Sequence, residues 1–162
     1  AIAAGLAGLL IGSFLNVCIS RLPYDESVVT PRSHCPRCGA WIAWYDNIPL
    51  LSYVLLAGKC RACAASISWR YPAVEALTGF LFWLAVSTHG ATLAGLKWCV
   101  FAAVLTALIF TDLETRILPD EFTKGGMIAG FLFAPIAPLP PVLGPRGALA
   151  ELYRRGYGVE AP

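Results

Sequence analysis

The sequence predicts an all-α multi-pass membrane protein of about four transmembrane helices, with a small cysteine-bearing loop domain between the first and second. Three observations predict it. Hydrophobic residues make up 57% of the 162-residue chain and charged residues 14%, with a mean hydropathy of +0.66, far too apolar for an ordinary soluble domain. The charged residues are gathered between long uncharged runs. Between the first two of these runs lies a polar, proline-punctuated excursion carrying two C-x-x-C pairs. The net charge of +2 gives no reason to expect a nucleic-acid partner.

Residues 1–20 hold no Asp, Glu, Lys or Arg, and a helix of that length rises about 30 Å, enough to cross the hydrocarbon core. This is the first span. The chain begins without Met inside this apolar run, so the expectation is a helix that continues upstream rather than a removed signal peptide. Gly5, Gly8, Gly12 and Ser13 share one helical face, a pattern for close helix packing, and Asn16 lies one turn further along it. Residues 21–71 form the loop domain. They belong to a polar excursion from Arg21 to Glu75 that Pro23, Pro31, Pro36, Pro49 and Pro72 punctuate and that shows no long helical period.

Residues 72–143 are expected to hold three more spans. Ala76 to Leu96 is uncharged, and after Lys97 the run continues from Trp98 to Thr111. A division at His89-Gly90 gives a second span near Pro72 to Thr88 and a third near Thr92 to Thr111, with Lys97 reaching to the far interface. His89 is read as a turn residue. Gly125 to Leu143 is a fourth uncharged run, whose Ala134-Pro-Ile-Ala-Pro-Leu-Pro-Pro141 end is expected to be kinked or non-helical. Residues 144–162, polar and glycine-rich, are read as a tail or linker.

Two spans separate the loop domain from the Asp112 stretch, so parity puts both on one side of the membrane. Eight of the twelve basic residues, Arg21, Arg32, Arg37, Lys59, Arg61, Arg70, Arg116 and Lys124, fall on that side, which marks it as cytoplasmic.

Cys35-Pro-Arg-Cys38-Gly39 and Cys60-Arg-Ala-Cys63 are the loop's landmarks. Each pair puts two thiolates within reach of one tetrahedral ion, and Gly39 allows a tight turn. The 21 intervening residues slightly exceed the usual zinc-ribbon interval of about 15 to 20. Zinc held by Cys35, Cys38, Cys60 and Cys63 is weighed against two disulfides or free thiols; a reducing cytoplasm disfavours the disulfides, and the paired C-x-x-C pattern, matching structural sites that close with four thiolates, favours zinc. A site closed by four thiolates leaves no open coordination position, so the metal is expected to be structural. Cys18 and Cys99 read as buried small hydrophobes.

Catalysis then falls to carboxylates on that side: Asp112, Glu114, Asp120, Glu121, Asp25, Glu26, Asp46 and Glu75. Asp112 stands out because it ends a membrane-length apolar run, where an ionisable group is costly unless paired or wetted. Spacing alone also predicts a plain alternative, an Asp112–Arg116 ion pair one helical turn long. Glu75, where the second span enters, has a similar bland reading as an acid at a helix N-terminus.

Taken together and in order, the motifs resemble the type IV prepilin peptidases, membrane aspartyl proteases that are bifunctional leader peptidases and N-methyltransferases. Gly12-Ser-Phe-Leu-Asn-Val17 with Arg21-Leu-Pro23 is similar to that family's opening signature. Cys35-Pro-Arg-Cys38, Asp46-Asn-Ile-Pro49 with Ser52-Tyr53, Gly58-Lys-Cys-Arg-Ala-Cys63 and Arg70-Tyr-Pro-Ala-Val-Glu75 resemble its cytoplasmic loop. Thr111-Asp-Leu-Glu-Thr-Arg-Ile-Leu-Pro-Asp120 is similar to its first aspartate motif. The resemblance covers about Gly5 to Gly130. It implies that Asp112 is catalytic, that prepilin or pseudopilin leaders are cut at the cytoplasmic face of the bacterial inner membrane, and that S-adenosylmethionine is the methyl donor. Asp120 does not carry over as catalytic. Asn16, Arg21, Asn47 and Glu75 match polar positions of the pattern without an assigned step, and no residue is assigned to the methyl donor. The family's second aspartate, in a G-x-G-D motif, does not occur here; Gly156-Tyr157-Gly158 is followed by Val159-Glu160. The expectation is that it belongs to a downstream half and that this stretch alone is not proteolytic. Two alternatives stand beside this reading. One is a non-proteolytic membrane module whose zinc loop binds a partner or serves methyl transfer alone; the other is a structural subunit whose acids only form ion pairs.

Overall fold

A computed structural model describes residues 1–136. The end of the fourth uncharged run, the prolines beyond Ile136, the 144–162 tail and Gly156-Tyr157-Gly158 lie outside the described residues. The order is α1 (Ile2–Arg21), a loop domain containing the short α2 (Leu51–Leu55), then α3 (Arg70–His89), α4 (Leu93–Thr115) and α5 (Asp120–Ile136). Among the described residues there are no strands, only the isolated bridges His34–Trp41 and Lys59–Ser66.

Helices α1, α3 and α4 pack on one another, and α5 leans on α4. The α1–α3 contact is set by glycine. A Cβ built at Gly8 would lie 2.8 Å from the Gly79 Cα, and one at Gly12 would lie 2.8 Å from the Glu75 Cα. Backbone meets backbone there, as small residues permit between membrane helices. A short apolar core of Leu15, Ile19, Val74 and Ala107 fills the middle, joined by Ala103, Phe110 and Phe122. The buried hydroxyls of Thr78 and Thr111 each donate to a carbonyl one turn back, at 2.7 Å, so neither is left unsatisfied.

Large apolar side chains point outward from the same helices. Leu6, Leu10 and Phe14 on α1, and Phe101, Leu105 and Ile109 on α4, are exposed. An apolar outer surface is what lipid requires and water penalises. Among the described residues two segments, Ile2–Tyr24 and Leu93–Thr115, are both long and apolar enough to cross a membrane. Helix α3 has 20 residues but opens on Arg70 and includes Glu75, and α5 has 17 residues with Asp120 and Glu121 in its first turn.

The boundaries have local causes. Pro72 sits in the first turn of α3, where a missing N–H costs nothing. Gly90, at φ +70°, ends that helix, and the Thr92 hydroxyl caps α4 by accepting the Gly95 N–H at 3.2 Å. Helix α4 runs four residues past Thr111 and stops where Arg116 turns left-handed at φ 55°. Helix α5 continues through Pro135 to Ile136.

Candidate functional site

The C-terminal end of α1, the N-terminal end of α3 and the C-terminal end of α4 meet at one end of the bundle. Polar side chains fasten them. The Asn16 side-chain amide, almost fully buried, donates to the Tyr71 carbonyl at 3.0 Å. The Arg70 guanidinium donates to the Ser20 hydroxyl at 2.8 Å and to the Glu114 carboxylate. Residues flanking the loop domain and the last turn of α4 are therefore neighbours.

Within the loop the two cysteine pairs form matching knuckles. In the first, the Cys35 N–H bonds the Ala40 carbonyl at 2.9 Å and the Gly39 N–H returns to the Cys35 carbonyl at 2.9 Å. In the second, Cys60 bonds Ala65 at 2.8 Å and Ala64 returns to Cys60 at 2.9 Å. Flanking bridges and the Ile42-to-Ser33 and Ile67-to-Gly58 backbone bonds close each as a miniature hairpin. Ala64 stands at the place of Gly39 and adopts the same left-handed backbone, at φ 55°. The segments 33–42 and 58–67 are an internal repeat, each with the pattern C-x-x-C-x-A-x-I. That repeat was legible in the sequence and is a stronger sign of a paired-knuckle site than the spacing alone.

The four Sγ atoms lie within 4.8 Å of one another, and Cys35 Sγ is 3.8 Å from Cys63 Sγ. Sulfurs bound tetrahedrally at about 2.3 Å to zinc stand about 3.8 Å apart, so the donor set fits such an ion. All six cysteines are free thiols. The backbone N–H groups of Cys38 and Arg37 hold the Cys35 thiol down to about 6. For Cys63 the Ala65 N–H pulls downward, but Cys38, partial burial, Cys60 and Cys35 together push it up to about 11. One thiolate forms readily and the next is opposed by it, an arrangement that a divalent cation relieves.

A bidentate ion pair ties the second knuckle to the turn at residues 44–47 that follows the first. Arg61, between the second pair of cysteines, donates from Nε and Nη2 to Asp46 at 2.7 and 2.5 Å and lies over the Tyr45 ring. The loop is docked on α3 by Glu75, whose carboxylate accepts the Leu50 N–H at 2.8 Å. Ser52, buried beneath, accepts the Ile48 N–H and donates to the Tyr45 carbonyl. Arg21 organises the loop's entry by donating to the Ser27 and Pro31 carbonyls at 2.8 and 2.7 Å. With Trp44 and Asn47 it lines a cavity of about 270 Å³.

Of the eight candidate carboxylates, half are taken: Asp46 by Arg61, Glu75 by Leu50, Glu114 by Arg70 and Asp120 by Lys124. The Asp112 side chain, exposed in the last turn of α4, makes no hydrogen bond or ion pair among the described residues. The Asp112–Arg116 pair expected from spacing does not form. Arg116 leaves the helix in a left-handed conformation, so only its backbone N–H reaches the Asp112 carbonyl, at 3.0 Å. Nor is Glu75 an acid at a helix entrance, because α3 begins at Arg70 and places Glu75 a turn and a half inside it. The cysteines come together as one cluster and Asp112 stands outside it. The Arg70–Glu114 pair escaped the sequence reading; its only signal was an arginine and an acid at the ends of two adjacent apolar runs.

Residues 6–89 match the family model of the bacterial peptidase A24 N-terminal domain. The chain is 50% identical over 127 residues to the prepilin leader peptidase/N-methyltransferase of Myxococcus xanthus, covering 78% of this chain and 38% of that protein. It is 38% identical over 154 residues to the protein of the same name from Neisseria gonorrhoeae, covering 80% and 54%. It is 42% identical over 149 residues to the type 4 prepilin-like proteins leader peptide-processing enzyme of Escherichia coli, covering 81% and 55%. The chain thus spans about half the length, or less, of these curated relatives. No solved structure matches it.

Proposed function

Because the chain belongs to the bacterial peptidase A24 N-terminal domain family, we propose that it carries the cysteine loop and one catalytic carboxylate, Asp112, of a prepilin leader peptidase with N-methyltransferase activity. The observation that carries this reading is Asp112 itself. It is an exposed carboxylate without a partner among the described residues, at the end of a membrane-length helix on the side of the bundle where the cysteine loop leaves and re-enters. Paired acids elsewhere on that side are committed to structure.

The chemistry is that of an aspartyl dyad. One ionised carboxylate takes a proton from water while a protonated partner polarises the scissile carbonyl, and close like charges make the pair share one proton. Asp112 is one member. The other is the G-x-G-D aspartate, which these 162 residues do not contain. The substrates are prepilin or pseudopilin leaders presented at the cytoplasmic face of the inner membrane. The four-span arrangement, with loop and Asp112 cytoplasmic, is supported by the eight basic residues on that side. Cys35, Cys38, Cys60 and Cys63 hold a structural zinc, which supplies cross-linking of the loop. Methyl transfer to the new N-terminal amine draws on S-adenosylmethionine, for which no residue is assigned.

The test is Asp112→Asn in the full-length enzyme, assayed by cleavage of a purified prepilin. Cleavage is expected to fall below detection while membrane insertion and zinc content stay at wild-type levels. Retained cleavage would mean that another carboxylate does the work.

A further inference from the structure

The Arg70 guanidinium is an expensive group in an unusual place. It opens α3 yet is only 7% exposed, wedged between α1 and α4. Its Nη2 donates to Ser20 on α1 at 2.8 Å, its Nη1 to Glu114 on α4, and it lies 4.5 Å over the Tyr71 ring. Its Nε, also buried, has no partner among the described residues. Burying an ion pair rarely gains stability over apolar side chains of the same volume. An arginine left partly unsatisfied is therefore poorly explained by stability.

Geometry supplies the explanation. Glu114 and Asp112 share the last turn of α4, and residues two apart on a helix point about 200° from each other. With Glu114 held inward on Arg70, Asp112 must face outward, which is where it lies, exposed. The other bonds of that turn are local to α4, the Thr115 hydroxyl donating to the Thr111 carbonyl at 3.0 Å and the Arg116 N–H to the Asp112 carbonyl at 3.0 Å, so the Arg70–Glu114 pair is what ties the Glu114 side chain to another helix. Arg70 fixes this turn against α1 as well, because Ser20 in turn donates to the Asn16 carbonyl at 2.9 Å.

We propose that Arg70, acting through Glu114, is a positioning residue that sets the direction of the Asp112 carboxylate relative to its dyad partner. The proposal rests on the reading of Asp112 as catalytic. Displacement of a reacting group by about 1 Å costs on the order of 100-fold in rate, so a loosened turn should be visible in kcat before it is visible in stability.

The experiment uses the full-length enzyme in proteoliposomes with a purified prepilin, and the variants Glu114→Gln, Arg70→Lys, Arg70→Glu, Glu114→Arg and the combined Arg70→Glu/Glu114→Arg exchange. Glu114 is partly exposed, so Glu114→Gln is expected to insert and unfold as the wild type does. The expected result is a fall in kcat of about 10- to 100-fold for Glu114→Gln with KM within about twofold. The exchange should recover at least about tenfold over either single charge reversal, since the Ser20 hydroxyl can donate to a glutamate as readily as it accepts from arginine. A kcat for Glu114→Gln within about twofold of wild type, or a loss confined to KM or to the folded fraction, overturns the proposal. Asp112→Asn separates the two claims. If it still cleaves, the catalytic reading falls and this inference with it; if it is dead while Glu114→Gln is fully active, only the positioning role falls.

Discussion

The Glu75 carboxylate accepts the Leu50 N–H at 2.8 Å across 25 residues of sequence, and this bond fastens the cysteine loop to the wall of α3. Leu50 has a left-handed backbone, φ 59°, immediately before α2, a conformation that a leucine adopts only when its surroundings hold it. Glu75→Ala is expected to destabilise the loop by about 1–3 kcal/mol, the cost of leaving a part-buried N–H without its acceptor. Glu75→Gln keeps an acceptor oxygen and should cost less. Limited proteolysis between residues 40 and 60 reads the difference; equal cleavage of the two variants would show that the bond does not hold the loop.

The α1–α3 seam predicts a contrast between glycines. At Gly8 an added Cβ would meet the Gly79 Cα, the Phe82 Cβ and the Thr78 carbonyl, each at 2.8 Å, and backbone cannot step aside cheaply. Gly8→Ala should cost about 1–3 kcal/mol through forced separation of the helices. Gly39→Ala meets no atom within 4 Å but must keep φ +70°, so it should cost about 1 kcal/mol and act on the knuckle alone. Thermal unfolding in detergent checks the first and zinc retention the second.

Asp46 and Arg61 tie the second knuckle to the turn that follows the first without touching a sulfur. Asp46→Asn should weaken metal retention by about tenfold at most, in the range of interactions that support ligands from outside. The hydrogen bonds from Arg61, and then its charge, hold the Asp46 carboxyl below its ordinary 3.8. A lowered carboxyl contributes above its unfolded value and is lost as pH falls through its folded one. The difference between wild type and Asp46→Asn should therefore keep its full size from neutral pH down to about pH 4 and begin to shrink only below that. A chelator competition series over pH measures it.

Hydropathy was enough to find α1 and α4, because an uncharged run of some twenty residues has few physical outcomes other than a buried or lipid-embedded helix. The cysteine cluster was legible for a similar reason: two C-x-x-C pairs bring their own local geometry, and the chain between them need only close a loop. The polar connections at the end of the bundle were not legible. Arg70 and Glu114 are 44 residues apart, and nothing in either neighbourhood names the other. The sequence offered a nearer pairing, Asp112 with Arg116, and one left-handed residue removed it. Local spacing predicts an ion pair only while the helix that supports the spacing persists, and α4 ends one residue too early for this one.

Four converging thiols make a definite prediction about metal and acid. Purified protein should contain about one zinc per chain, and Cys35→Ser or Cys60→Ser should lose it, since neither knuckle alone offers more than two thiolates. Metal must displace whatever protons the thiols carry, so affinity falls as pH falls. At neutral pH the Cys63 thiol, pushed up to about 11, holds a proton that the ion has to expel, while Cys35, held down to about 6, is already a thiolate. Below about pH 6 Cys35 joins the competition, so a plot of log affinity against pH should steepen by about one proton across that point. Competition with a chromophoric chelator between about pH 5 and 8 records the slope, with the chelator's own protonation subtracted. A slope that stays constant through pH 6 would show that the Cys35 thiol is not held down there, and a metal-free wild type would remove the zinc.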